Sequence, residues 1–76
     1  MLKIKNNVDL KILKQWGFHR KYLYSSWGWV VEFQQNKYFE YIVVWEDDKT
    51  IQARCIVLAE VIYDLTKADL VEKVEE

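Results

Sequence analysis

Between Trp27 and Val57 the chain alternates in side-chain character with a period of two, in three runs. Trp27, Trp29, Val31 and Phe33 interleave with Gly28, Val30, Glu32 and Gln34. Phe39, Tyr41, Val43 and Trp45 interleave with Tyr38, Glu40, Ile42 and Val44, and Ile51, Ala53, Cys55 and Val57 with Thr50, Gln52, Arg54 and Ile56. Period two is the strand signature, because successive side chains point to opposite faces of a sheet. Gln35-Asn36-Lys37 and Glu46-Asp47-Asp48-Lys49 separate the runs as turns. The pattern predicts a three-stranded antiparallel meander.

The flanks have a different period. Val8, Leu10, Ile12, Leu13 and Trp16 fall on one side of a helix, with Lys11, Lys14 and Gln15 opposite. Asn6-Asn7 offers a side-chain cap before Val8, and Asp9 suits the positive end of the helix dipole. Gly17 is placed to end the helix in the left-handed conformation, with Phe18 reaching back to Leu13. A second helix begins at Leu58 or Ala59 and runs through Val61, Ile62 and Leu65. Its end repeats the first, with Asp69 in the glycine position and Leu70 reaching back to Leu65. Leu2–Lys5 and Leu70–Val74 suit short terminal strands. His19–Ser26 is ambiguous: Tyr22 and Tyr24 alternate with Lys21 and Leu23, which fits a strand or a loop equally. The expectation is one α+β domain over residues 1–76. It has a three-stranded antiparallel meander, two α-helices packed on one face, and short terminal strands.

In each central run one set of positions carries no charge. If those sets share a face, the helices cover Trp29, Val31, Phe33, Tyr41, Val43, Trp45, Ile51 and Ala53, since each large side chain buried contributes roughly 1.5–3 kcal/mol. The other face then holds Glu32, Glu40 and Gln52 with an aliphatic strip of Val30, Ile42, Val44 and Ile56, which together with Tyr38 and Arg54 makes the candidate interface. An aliphatic strip of that kind marks a docking surface for a second copy of the chain or for another protein. On this reading Val44→Asp weakens association and leaves the fold standing. The alternatives are terminal segments folded over the strip, or a register that scatters it.

Composition narrows the class. The chain has 76 residues, 51% hydrophobic and 16% aromatic, with no proline, one cysteine and one histidine. That is too apolar for disorder. It is too poor in Cys and His for a disulfide framework or a structural zinc site. No apolar run approaches a membrane span and no signal-peptide pattern opens the chain, so no membrane partner is expected, and the single reduced cysteine fits a cytoplasmic location. Formal charge is −1, but residues 1–21 hold six cations and one carboxylate, and residues 22–76 hold five cations and eleven carboxylates. Lys11, Lys14, Arg20 and Lys21 are therefore a candidate nucleic-acid contact, weighed against lysines that serve solubility.

Candidate chemistry is sparse. His19 has no local nucleophile or orienting carboxylate. Cys55 falls on the inward set, where a thiol is inert. Glu32 and Glu40 lack a pocket. Glu46-Asp47-Asp48 lacks the ligand spacing of a calcium loop. Gly17 and Gly28 form no phosphate-cradling motif. The expectation is no enzyme, no metal and no cofactor.

Two stretches carry a resemblance: Leu10–Phe18, a short helix ending Gly-Phe, and Ile62–Val74, Ile-Tyr-Asp-Leu-Thr-Lys-Ala-Asp-Leu-Val-Glu-Lys-Val. Both are similar to stretches of small uncharacterised proteins of phages and prophages of Gram-positive bacteria. Those commonly end in a Leu-Tyr-Asp-Leu helix, a glycine and a Leu-Val-Glu-Lys-Val tail. The chain departs from that pattern at Asp69, and the resemblance leaves the central strands untouched. It implies a phage setting inside a bacterial cell and no catalytic residues. The leading expectation is a non-enzymatic protein–protein interaction module, self-associating or binding a host or phage protein. Nucleic-acid binding is the alternative.

Overall fold

The computed structural model describes residues 1–35, 38–54 and 59–74, and the side chains of all these except 33–35, 38–40, 54 and 59. The order is β1 (Leu2–Ile4), a 3-10 helix (Leu10–Trp16), β2 (His19–Leu23), β3 (Ser26–Gln35), β4 (Tyr38–Trp45), β5 (Ile51–Arg54), α1 (Ala59–Lys67) and β6 (Val71–Lys73). This is an α+β fold. Strands β2-β3-β4-β5 form a four-stranded antiparallel sheet, and β1 pairs with β6 in a separate two-stranded ladder. The ladder is fastened to the sheet by a bridge between Lys3 and Thr50, with the Ile4 N–H donating to the Lys49 carbonyl at 2.8 Å.

The predicted three-stranded meander with two α-helices on one face is thus corrected in three respects. The ambiguous stretch supplies a fourth strand. It is joined to β3 by a two-residue turn in which Tyr24 (φ 48°) and Ser25 (φ 71°) are both left-handed. Such a turn twists with the strands it joins, but its usual residues are Asn and Gly, so Tyr-Ser gives no sequence signal. The first helix is 3-10 and begins at Leu10, capped by Asp9, whose carboxylate accepts from the Lys11 N–H at 3.0 Å. The predicted Asn6-Asn7 cap is replaced because residues 5–8 close a turn of their own, and Lys49 Nζ holds the Asn6 and Val8 carbonyls at 2.9 and 2.6 Å. Third, Ile4 from the ladder shares the core with Leu10, Leu13 and Leu65. The layer over the sheet is therefore ladder, 3-10 helix and α1 together.

Both predicted helix ends are present. Gly17 is left-handed at φ 86°, its N–H donating to Lys14, and the Phe18 N–H reaches back to Leu13 at 3.3 Å. Asp69 is left-handed at φ 61°, its N–H donating to Thr66, and the Leu70 N–H reaches Leu65 at 3.2 Å. This double bond pattern satisfies carbonyls that a helix end leaves bare.

The face assignment is half corrected. Trp29 stands opposite Val44, and Val44 opposite Ile51, while Val31 stands opposite Ile42. The covered side of β3 is Trp29 and Val31, as predicted. The covered side of β4 is Ile42 and Val44, a correction to the predicted open face. Ile42 and Val44 are 0% exposed and lie in one cluster with Ile4, Leu10, Leu13, Phe18, Trp29 and Leu65. Tyr41, Val43 and Trp45 fall on the opposite side with Val30 and Glu32. A one-residue shift in pairing exchanges every side chain between faces.

On that second face Val30 and Val43 are paired and both buried. Gly28 lies beside them. A Cβ there would sit 2.8 Å from Val43 Cγ2 and 3.3 Å from Trp45 Cε3. The missing side chain is what lets the Trp45 ring and Val43 close over the strand.

Candidate interaction surface

The two-residue turn determines what the β2–β3 hairpin presents. It makes Leu23 and Ser26 a hydrogen-bonded pair, so Tyr22 and Trp27, the next pair, are non-hydrogen-bonded and their side chains approach closely. Their ring centroids are 5.2 Å apart at an interplanar angle of 58°. Arg20, two residues along the same face, places its guanidinium carbon 4.1 Å from the Trp27 ring centroid. A cation over an indole face is held by the ring quadrupole.

Arg20 is fixed from a second side. Its Nε and Nη2 donate to the two oxygens of Glu46, in the β4–β5 turn, forming a forked pair. The hydrogen bonds from Arg20 hold the Glu46 carboxyl below the usual range, with a further contribution from the Trp29 side chain. The same pair raises Arg20 further. In that turn Asp48 accepts from the Thr50 N–H and hydroxyl at 2.9 and 2.7 Å, which lowers its pKa in turn.

The hairpin therefore carries a contiguous row of Arg20, Trp27 and Tyr22, ending at Tyr24 on the tip. Tyr22 is 57% exposed, Trp27 43% and Tyr24 93%. Tyr24 combines full exposure with a backbone conformation that a residue with a Cβ enters at a cost. Sequence reasoning missed this row. The alternation of Tyr22 and Tyr24 through Lys21 and Leu23 was visible, but nothing marked Tyr24-Ser25 as a turn.

Beside the row, an open cleft of about 940 Å³ separates the 3-10 helix from the sheet, bordered by Lys11, Lys14, Phe18, Arg20, Trp29 and Glu46 among others. Three of the four predicted nucleic-acid contacts, Lys11, Lys14 and Arg20, meet there. Lys21 does not. It is on the other face, where its Nζ lies 3.0 Å from Glu32, with His19 Nε2 at 3.9 Å from the same carboxylate. The predicted four-cation patch is divided because Arg20 and Lys21 are neighbours in a strand and point opposite ways.

The predicted interface residues are also redistributed. Ile42 and Val44 are core, and Val30 is 2% exposed, so a partner meets none of the three. They are buried because the β3–β4 register puts Ile42 and Val44 under the ladder and helices, and because Val30 packs against Val43. The side chains of Tyr38 and Arg54, and all of Ile56 and Cys55, lie outside the described residues. In the register Arg54 stands opposite Tyr41 and Glu40 opposite Phe33, so Arg54 and Glu40 do not form a cross-strand charge pair. Glu32 stands opposite Tyr41 rather than Glu40.

Among the described residues no group of three or more His, Cys, Asp or Glu is placed to hold a metal, and no helix is long and apolar enough to cross a membrane. Compared with models of known families, with curated proteins and with solved structures, the chain shows no match.

Proposed function

We propose that this chain is a non-enzymatic protein–protein interaction module whose contact surface is the β2–β3 hairpin. The observation that carries the reading is the exposed row Arg20, Trp27, Tyr22 and Tyr24. Binding energy at interfaces concentrates in Trp, Tyr and Arg, and the two aromatic types bring large contact area at little loss of side-chain freedom. Here the cation over the ring and the Arg20–Glu46 fork fix two of those side chains in advance, which lowers the ordering cost of association. The partner is a second copy of the chain or a host or phage protein. The resemblance at the two chain ends supports a phage or prophage origin and a bacterial cytoplasm.

The test is a paired capture from bacterial host extract. Wild-type protein retains a partner that the double variant Tyr24→Ala with Trp27→Ala loses and Tyr63→Ala keeps, both variants being folded by circular dichroism. Sedimentation across a concentration series separates the self-associating form. A set of retained proteins that is the same for all variants, together with a monomer at every concentration, contradicts the reading.

Nucleic-acid binding remains the second reading, favoured by the meeting of Lys11, Lys14 and Arg20 at one cleft. It is weakened by the separation of Lys21 and by the engagement of Arg20 with Glu46. Binding of DNA or RNA that falls steeply with salt supports it; no binding at low salt removes it.

A further inference from the structure

Four cations border the cleft between the 3-10 helix and the sheet, and they are not equivalent. Lys49 gives its ammonium to the Asn6 and Val8 carbonyls. Arg20 spends two donors on Glu46. The two carboxylates at the cleft are likewise engaged: Glu46 by Arg20 and Trp29, and Asp9 by the Lys11 N–H. Lys11 and Lys14 are left. Among the described residues neither side chain makes a hydrogen bond or an ion pair.

The helix type sharpens this. With three residues per turn, side chains at i and i+3 of a 3-10 helix eclipse, about 6 Å apart along the axis. Lys11 and Lys14 are such a pair, so both side chains leave the helix on one side, at the rim of the cleft. The floor beneath is made by Phe18 and Trp29, both nearly buried. A cleft of that volume is of the size that accepts a small molecule.

We propose that this cleft binds a phosphate group, held between Lys11 and Lys14 with the unspent donors of Arg20 completing the set. The occupant is a phosphorylated ligand of nucleotide size or one phosphate of a nucleic-acid strand, two sources of the same chemistry. The site adjoins the protein-binding hairpin and shares Arg20 with it. Lysine supplies a point charge and Arg20 a planar fork, the two kinds of donor that phosphate oxygens accept.

The test uses four probes at low ionic strength: inorganic phosphate, pyrophosphate, ATP and a short thymidine oligonucleotide. Binding is followed by amide chemical shifts in two-dimensional NMR and by calorimetry. The expected result is saturable binding of pyrophosphate and ATP, with shifts concentrated at residues 9–14 and 18–20. Lys11→Gln with Lys14→Gln weakens it by about tenfold or more, while Lys67→Gln, on α1, leaves it unchanged. Tighter binding of the oligonucleotide, with a steeper loss on added salt, assigns the phosphate to a nucleic-acid strand. Equal or weaker binding assigns it to a small ligand. No shift with any probe at millimolar concentration overturns the proposal. So does binding that survives in the double variant, whose fold is checked independently by its unchanged spectrum outside the cleft.

Discussion

Replacing Val44 with aspartate tests which side of β4 faces the core. Val44 is 0% exposed, stands opposite Trp29 and Ile51, and belongs to the main cluster. Losing the buried valine costs about 1.5–3 kcal/mol. The aspartate must also enter as a neutral acid, and protonating a carboxyl of ordinary pKa near 3.9 at pH 7 costs about 4 kcal/mol. Together that is about 6 kcal/mol, against a total stability of about 4–11 kcal/mol for 76 residues. The variant is mostly unfolded or close to it at pH 7. At pH 5 the protonation cost falls to about 1.5 kcal/mol, so relative to wild type the variant recovers between pH 7 and pH 5. Ala53 is the control: it stands opposite Ile42 on the same side of the sheet but is exposed on β5. Ala53→Asp is expected to cost less than about 1 kcal/mol. Urea unfolding followed by tryptophan fluorescence measures all three proteins. A Val44→Asp midpoint matching that of Ala53→Asp refutes the reasoning and returns Val44 to an open face.

Three further expectations follow from the same geometry. Tyr24→Asn with Ser25→Gly installs the residues that a doubly left-handed turn prefers. It should stabilise by about 1 kcal/mol, a rise of about 4–8 °C in Tm, and the same change should weaken partner binding if Tyr24 is an anchor. Gly28→Ala should destabilise by about 1 kcal/mol, the crowding against Val43 and Trp45 exceeding what alanine gains over glycine in a strand. Glu46 and Asp48 have depressed folded pKa values, so their contribution is present above the unfolded carboxylate range and is lost as pH falls through the folded values. Tm should therefore fall on acidification below about pH 4.5, and Glu46→Gln should flatten that fall; an identical pH profile in the variant contradicts it.

What the sequence made legible was local. Gly17-Phe18 and Asp69-Leu70 each place a left-handed residue and an apolar one after a helix, and both ends close as that pattern requires. The terminal strands were visible because Leu2–Lys5 and Leu70–Val74 are short alternating runs, although nothing local said that they pair with each other. The inward side of β4 was not legible. Ile42 and Val44 compete with Tyr41, Val43 and Trp45, both sets are apolar, and period two separates faces without saying which is inward. The expectation was decided by Glu40, a charge near one end of the strand, whereas pairing with Trp29 decides it in the fold. The 3-10 pitch was hidden too, since Leu10, Leu13 and Trp16 at intervals of three also fit an amphipathic α-helix. The candidate surface lay in the one stretch whose turn chemistry was atypical.

The most direct measurement is the set of side-chain nuclear Overhauser contacts of β4. Methyl groups of Ile42 and Val44 should connect to the cluster containing Leu13, Phe18, Trp29 and Leu65, while the Trp45 indole connects to Gly28 and Val43. Contacts from Tyr41 and Trp45 to Leu13 and Leu65, with Ile42 and Val44 bare, would contradict the fold on which both proposed sites rest.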